Sequence, residues 1–568
     1  MFVSKHNLAF LTSDHATKLF PKMFPDSEIA KQFACARTKT TAIVKEALSP
    51  YYLKTTTESM CNPFSVLIDE SNDKTDKSCI ILVRVLDSTV GDVRTRFLDM
   101  PVVNIGTAQN LYAALKSSLS GKGFDFSNIV AFMSDTTNVM KGARSGVQKL
   151  IKNDNPQLYD VGCICHLADL TVKAGMQTLP IDIDQLFIDV FYFFRHSSKR
   201  SQQFTDLWCS LFTTEPEAIL KHCPTRWLSL LRCVGRYLDQ LEGLKSFFLS
   251  SDEETDKVES ISTRLQNPLL KPILLFLSFI LPSMDRFNRM FQKSDENTTS
   301  QLYDEMSRLT RLYASNFLKR VVISAVHDDI SRLGESLGPD KQVSDENLGI
   351  GDNTWAAVAE LELEHDTKPF FSAVRKFYVA SLKKMLKKFP FNDTLLKDLG
   401  VLQPDKTATY EVSTITRLAK RFPQVGVNSS DDLDALSQEF MDFSLSQTDL
   451  PTPKEYKAAD GKMKPRAGSF WWEVGKMKTF DGQPRFPNLF KLMSGLLSIP
   501  ASNADSERGF STLRKIHTDQ RSNLDQTTII ALMSIKFNSD ECCHDIKFSE
   551  ELLSNCKKAT RIHVASKK

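Results

Sequence analysis

Between residues 64 and 165 the chain carries short apolar runs of strand character, and from Leu167 onward the pattern is almost wholly helical. This change of period constrains the fold more than any other feature. Residues 64–69 (FSVLID), 79–86 (CIILVRVL) and 96–103 (RFLDMPVV) follow one another, with a turn around Gly91-Asp92 between the last two. Three such strands in succession predict an antiparallel meander. A helix is expected over 107–119, where Leu111, Ala114, Leu115 and Leu119 share a face, and a fourth apolar run over 129–133 ends at Ser134-Asp135. Residues 146–152 read as helix again and 159–165 (YDVGCIC) as a fifth strand. The order βββαβαβ predicts an α/β layer fold with a mixed sheet.

The remainder reads as all-α. Leu186, Val190, Phe191, Phe193 and Phe194 form a dense aromatic face, and further helices are expected over 218–249, 269–288 and 300–326. Residues 252–259 are an acidic break, 333–353 a polar surface loop and 425–465 a loop-rich stretch. Residues 370–389 form a basic amphipathic helix with Arg375, Lys376, Lys383, Lys384, Lys387 and Lys388. That face is either simply solvated or a phosphate contact. Residues 1–60 look helical, stop near Ser49-Pro50, and begin so abruptly that a further upstream segment is expected.

A chain of 568 residues exceeds one core. The expected division is an N-terminal helical segment at 1–60, the first part of an α/β core at 61–215, a helical insertion at 216–465, and completion of the core at 466–568. The net charge of +3 means that any nucleic-acid binding uses local patches. The eleven cysteines form neither a CxxC pair nor a zinc-finger array, which fits reduced, intracellular thiols. Residues 1–11 are too briefly apolar for a signal peptide, and the apolar run 272–282 is too short to span a bilayer. Nucleus or cytosol, with no membrane partner, is the expectation.

The chemistry concentrates at a few acidic residues. Asp69 and Asp135 each end an apolar strand candidate, where α/β sheets place ligands, though an aspartate there can equally be a strand-end cap. Asp73 competes with Asp69. In residues 496–524, Ser502 and Asn503 are good N-caps, and Asp505 and Glu507 fall in the first turns of a helix running through Phe510, Leu513 and Ile516. Both acids can serve the helix dipole alone. Alternatively, a helix-borne carboxylate packed on the sheet completes, with two strand-end aspartates, a two-metal site for attack at phosphorus. Cys163 and His166 form a C-x-x-H pair, weak as a metal motif and more naturally a buried thiol with an orienting histidine. Arg226-Trp227 can stack a base and grip a phosphate, or simply pack.

The motifs VLIDES, MSDTTNVMKG, CICHLADL, TRWLS and FWWEVGKM…FPNLFKLMSGLLSIPASNADSERGFSTL occur in this order. Over about residues 30–540 the chain resembles hAT-superfamily DNA transposases, especially animal hAT-derived proteins that often carry an upstream BED-type zinc finger. The resemblance implies an RNase H-like catalytic domain, a mixed sheet interrupted by a large all-helical insertion before its final glutamate. It implies a DDE triad of Asp69, Asp135 and Glu507 binding two Mg²⁺ (or Mn²⁺) ions for DNA strand cleavage and transfer. It maps the C-x-x-H pair to Cys163 and His166 near the site, and DNA contact to Trp227 with Arg226. It further implies a C-terminal dimerisation region including Trp471, Trp472, Pro487 and Leu489, hence a homodimer or larger oligomer, and a nuclear location. The apolar surplus of Trp471, Trp472, Phe490, Leu492 and Leu496 points to the same assembly. The alternative is a domesticated, non-catalytic nuclear protein acting through dimerisation and DNA or chromatin binding.

Overall fold

The structure, a computed structural model, describes residues 1–73, 76–223, 229–251, 253, 255–293, 299–327, 329–446, 448–457 and 463–565. Strands β1 (Phe64–Asp73), β2 (Asp76–Asp87), β3 (Asp92–Asp99), β4 (Ile129–Ser134) and β5 (Tyr159–Gly162) build one sheet in the order β3-β2-β1-β4-β5. The first three form the expected antiparallel meander, while β4 pairs with β1, and β5 with β4, in parallel. Parallel neighbours need crossovers, and helices α1 (Ala108–Ser120) and α2 (Val147–Asp154) lie in those connections.

Alternation along the strands gives the sheet two apolar faces. Val66, Ile68, Ile81 and Val83 pack with Leu111 and Leu115 of α1 and Ile151 of α2. Leu67, Ile80, Leu82 and Phe97 face a second, larger core. That core runs without a break from the sheet into the helical part, through α3 (Ile164–Met176), α4 (Leu270–Phe291) and α5 (Lys368–Lys388). The chain then returns with α6 (Ala467–Gly475), α7 (Pro487–Leu497), α8 (Ala504–Ile516) and α9 (Gln526–Asn538). Helix α8 closes the same sheet face, with Phe510 and Leu513 in the large core. Gly509 makes the close approach possible: a Cβ there would sit 2.2 Å from Ile80 Cδ1.

Several local expectations are corrected. The polar residues after Asp69 do not end the first strand; β1 continues to Asp73 because the β1–β2 hairpin pairs them through to Asp76. Strand β3 starts at Asp92, earlier than expected, because the turn before it closes at Gly91, whose φ of 66° suits glycine. The fifth strand stops at Gly162, and Cys163 already caps α3. The N-terminal helix does not stop at Ser49-Pro50. It passes through a π-helical turn, Val44–Leu48, into the helix Ser49–Ser59. Pro50 has no N–H to donate and its ring crowds the carbonyl a turn back, and the wider turn, in which the Ser49 amide donates to the Val44 carbonyl, leads into it. Of the expected helix over 218–249, residues 218–223 are not helical, and the described helix is Ser229–Leu249.

The loop-rich reading of 425–465 misses a helix, Ser430–Leu445. Its signal was present: the Asp432 amide donates to Ser429 Oγ at 3.0 Å, and the Ser429 amide donates to Asp432 Oδ2 at 3.1 Å, a reciprocal cap. The run 272–282 is a largely buried part of α4, with Phe279 and Pro282 exposed. Among the described residues, no single helix is long and apolar enough to cross a membrane.

Candidate active site

The last parallel pair between β1 and β4 joins Leu67 to Met133. Asp69 and Asp135 stand two residues beyond, one on each chain segment, so two carboxylates leave neighbouring strands at one level. By the two-residue period Asp69 shares the face of Leu67, the face that α8 covers. Asp135 lies just past β4, where the Thr137 amide at 3.2 Å and hydroxyl at 2.8 Å both donate to its Oδ1. The local turn thereby fixes this carboxylate.

Asn503 sets the position of the third acid. Its Nδ2 donates to the Ile68 carbonyl at 3.1 Å, its Oδ1 accepts from Ser506 Oγ at 2.8 Å, and its amide donates to Cys163 Sγ at 3.3 Å. The residue occupies the N-cap of α8, as the sequence predicts, but its side chain does not cap the helix. Instead it ties α8 to the strand residue before Asp69 and to the start of α3. Ser502 Oγ donates to the Phe291 carbonyl at 2.5 Å, which adds α4 to the same knot. Sequence reasoning gave Asn503 only a capping role, and nothing in one sequence signals its long-range partner.

The two acids of α8 separate. Asp505 is buried against β2 and β3, accepts from Thr95 Oγ1 at 2.7 Å and pairs with Arg508. It is a structural residue. Glu507 is exposed and lines an open groove with Glu70, Ser71, Gln292, Arg514 and Lys515.

Electrostatics ties Glu507 to the strand aspartates. The Asp69 carboxyl is pushed up from 3.8 to about 8, first by burial and then by the negative charge of Asp135, with Glu507 and Glu70 adding to it. The Glu70 amide, donating to Asp69 Oδ1 at 3.0 Å, opposes the shift without cancelling it. Glu70 itself is bridged to Lys77 at 2.7 Å.

His166 sits in the first turn of α3, half-buried. Burial holds its pKa below the usual range, with Asp135 and Asp169 pulling upward and Lys173 and Lys388 pushing further down. The neighbouring Cys165 thiol is driven well up by burial, with Glu507 among the charges that contribute. The structure therefore gathers Asp69, Asp135, Glu507, Cys163 and His166 at one end of the sheet. Arg226 and Trp227 lie outside the described residues, as does the side chain of Asp73.

The donor set fits a hard divalent cation. Carboxylate oxygens are its preferred ligands, and their mutual repulsion, visible at Asp69, is what a cation relieves. The ligand atoms of Asp69, Asp135 and Glu507 do not all lie within 4.8 Å of one another, so the cluster is wider than a single-ion cage. Among the described residues, a set that does meet that spacing is Cys542, His544 and Asp545, exposed on the loop after α9.

Residues 33–146 match a family model described as the ZMYM1/FAM200, RNase-like domain. Residues 469–539 match the hAT family C-terminal dimerisation region. These two matches support an hAT-family or hAT-derived protein. In this hAT-related chain the first match spans Asp69 and Asp135 and the second spans Glu507. The dimerisation region supports assembly as a homodimer or larger oligomer.

The apolar surplus expected to drive that assembly is mostly used inside the chain. Trp471, Leu492 and Leu496 are wholly buried, and Trp472 and Phe490 pack partly buried against the same core. The residues of this hAT region left for a partner are others, among them Phe480, which is fully exposed at a loop tip.

Proposed function

We propose that this protein is a hAT-type, transposase-like DNA strand-transfer nuclease with an RNase H-like catalytic domain. Residues 61–215 and 466–568 are the two parts of that domain, 216–465 its helical insertion and 1–60 an N-terminal helical segment. The sheet order, an antiparallel meander followed by two parallel strands, supports the RNase H-like reading. The observation that carries the function is that Asp69 and Asp135 leave the neighbouring strands β1 and β4 at one level, while α8, packed on the same sheet face, presents Glu507.

Two Mg²⁺ or Mn²⁺ ions bound to these three carboxylates would activate the attacking oxygen and stabilise the leaving oxygen. The chain's own residues set the conditions. Asp69 holds a proton near neutral pH and must release it to act as a ligand. Thr137 keeps Asp135 aimed, and Asn503 anchors the helix that presents Glu507. Cys163 and His166 support the cluster from the start of α3, and Arg226 and Trp227 contact DNA at the cut end. A nuclear location follows from the substrate.

The dimerisation-region match equally supports a second reading, a domesticated, non-catalytic nuclear protein that dimerises and binds DNA or chromatin. Nicking of a labelled duplex in Mn²⁺ separates the two. Wild type should cleave, and Asp135→Asn should cut at least about 100-fold more slowly, because a transition-state electrostatic contact of this kind is worth about 3–4 kcal/mol. Equal rates in the two proteins, or no cleavage by either, would favour the domesticated reading.

A further inference from the structure

We infer that two cationic helix faces flank the carboxylates and grip the phosphodiester backbone of a nucleic acid: Lys387 and Lys388 at the end of α5, and Arg514 and Lys515 at the end of α8. The inference rests on the nucleic-acid reading of the site and deepens it by naming where the strand lies.

The first bank is placed by helix packing. A Cβ on Gly175 would sit 2.4 Å from Ser381 Oγ and 2.7 Å from Phe377, so α3 and α5 touch almost backbone to backbone. Towards the start of α3 stands His166, and towards the end of α5 stands Lys388, whose charge lowers the His166 pKa. The two helices are therefore antiparallel, and the end of α5 arrives beside the histidine that also senses Asp135. Lys387 and Lys388 are exposed there and, among the described residues, make no ion pair. Arg375, three turns back, is already bound to Asp345 at 2.6 Å and is not part of the bank.

The second bank shares the groove of Glu507. Arg514 and Lys515 line it, are exposed, and likewise make no ion pair among the described residues. Arg508, also on this groove, is held by Asp505 and by the Gln292 carbonyl. Lys388 and Asp135 both act on His166, Asp135 and Glu507 both act on Asp69, and Arg514 and Lys515 line the groove of Glu507. An acidic centre repels a polyanion unless cations lie on both sides of it, and this arrangement supplies them. With a net charge of only +3, the chain has no general surplus to do the same.

The test is fluorescence anisotropy of a labelled mixed-sequence duplex across a salt series, using the full chain. The variants are Lys387→Glu/Lys388→Glu, Arg514→Glu/Lys515→Glu, and a control with the same charge change, Lys557→Glu/Lys558→Glu, on the exposed face of the helix Glu550–Ala565. Each bank variant should bind at least about tenfold more weakly. It should also lower the slope of log K against log salt by about 1–2, since each lost phosphate contact removes about 0.9. The control should stay within about twofold of wild type.

Bank variants that match the control, or a wild type that does not bind, would overturn the inference. Metal-dependent melting of the same proteins reports the carboxylate cluster separately. Bank variants should keep it, so loss of metal response in wild type with DNA binding intact would sink the catalytic reading and leave this one standing.

Discussion

Asp69→Asn should make the metal-free protein more stable, and the gain should grow as the pH rises from about 4 to about 8. The carboxyl titrates near 3.8 when free and near 8 in the fold, chiefly because it is buried and faces Asp135. A group whose folded pKa is raised favours the folded state only while protonated. Its contribution is therefore fully present below the unfolded value and is lost as the pH climbs through the folded one. At pH 8 the native protein carries most of that penalty, on the order of a few kcal/mol at about 1.4 kcal/mol per pKa unit. Asparagine keeps the shape without the charge. Denaturant melts in chelator at pH 5 and pH 8 would show a small difference between variant and wild type at the lower pH and a large one at the higher. A variant less stable than wild type at pH 8 would mean that Asp69 is a paired structural carboxylate.

Trp471→Ala should cost about 3–5 kcal/mol, the usual range for emptying a wholly buried aromatic site. The indole is fully buried, stacks on Phe443 with 5.2 Å between ring centroids, and donates its Nε1–H to the Leu402 carbonyl at 3.1 Å. Removing it opens a cavity where α6, the helix Ser430–Leu445 and the turn Leu399–Leu402 meet, and leaves that carbonyl without its donor. The urea midpoint should fall without a change of slope. If instead the variant melts like wild type but loses its partner in light scattering, Trp471 belongs to the subunit interface and not to the core.

The sheet was legible because its strands are short, apolar and bounded by polar turns, as in residues 64–69 and 129–133. Strand ends were less so. Whether residues 70–73 continue β1 depends on their partners in β2, and pairing is not a property of one segment. The helix Ser430–Leu445 was missed because polar content outweighed the Ser429–Asp432 cap. At the site, Asp69, Asp135 and Glu507 were singled out by type, position and resemblance, and the fold brings them into electrostatic contact. The division between Asp505 and Glu507 was hidden, because two acids in one helical turn look alike until Thr95 and Arg508 claim the first. Asn503 was hidden for the same reason, since its decisive partner, Ile68, is hundreds of residues away in the chain.

The central claim is that Glu507 completes a cation site with Asp69 and Asp135. Titration of Mg²⁺ or Mn²⁺ followed by melting temperature, on wild type and Glu507→Gln, tests it most directly. Wild type should melt higher as metal is added, because ligand bound only to the folded state stabilises it. Glu507→Gln should melt at or above the wild-type temperature in chelator and lose the metal-dependent rise, a neutral amide being a poorer ligand for a hard cation. A wild type whose melting temperature ignores metal, or a Glu507→Gln variant that keeps the full rise, would contradict the account.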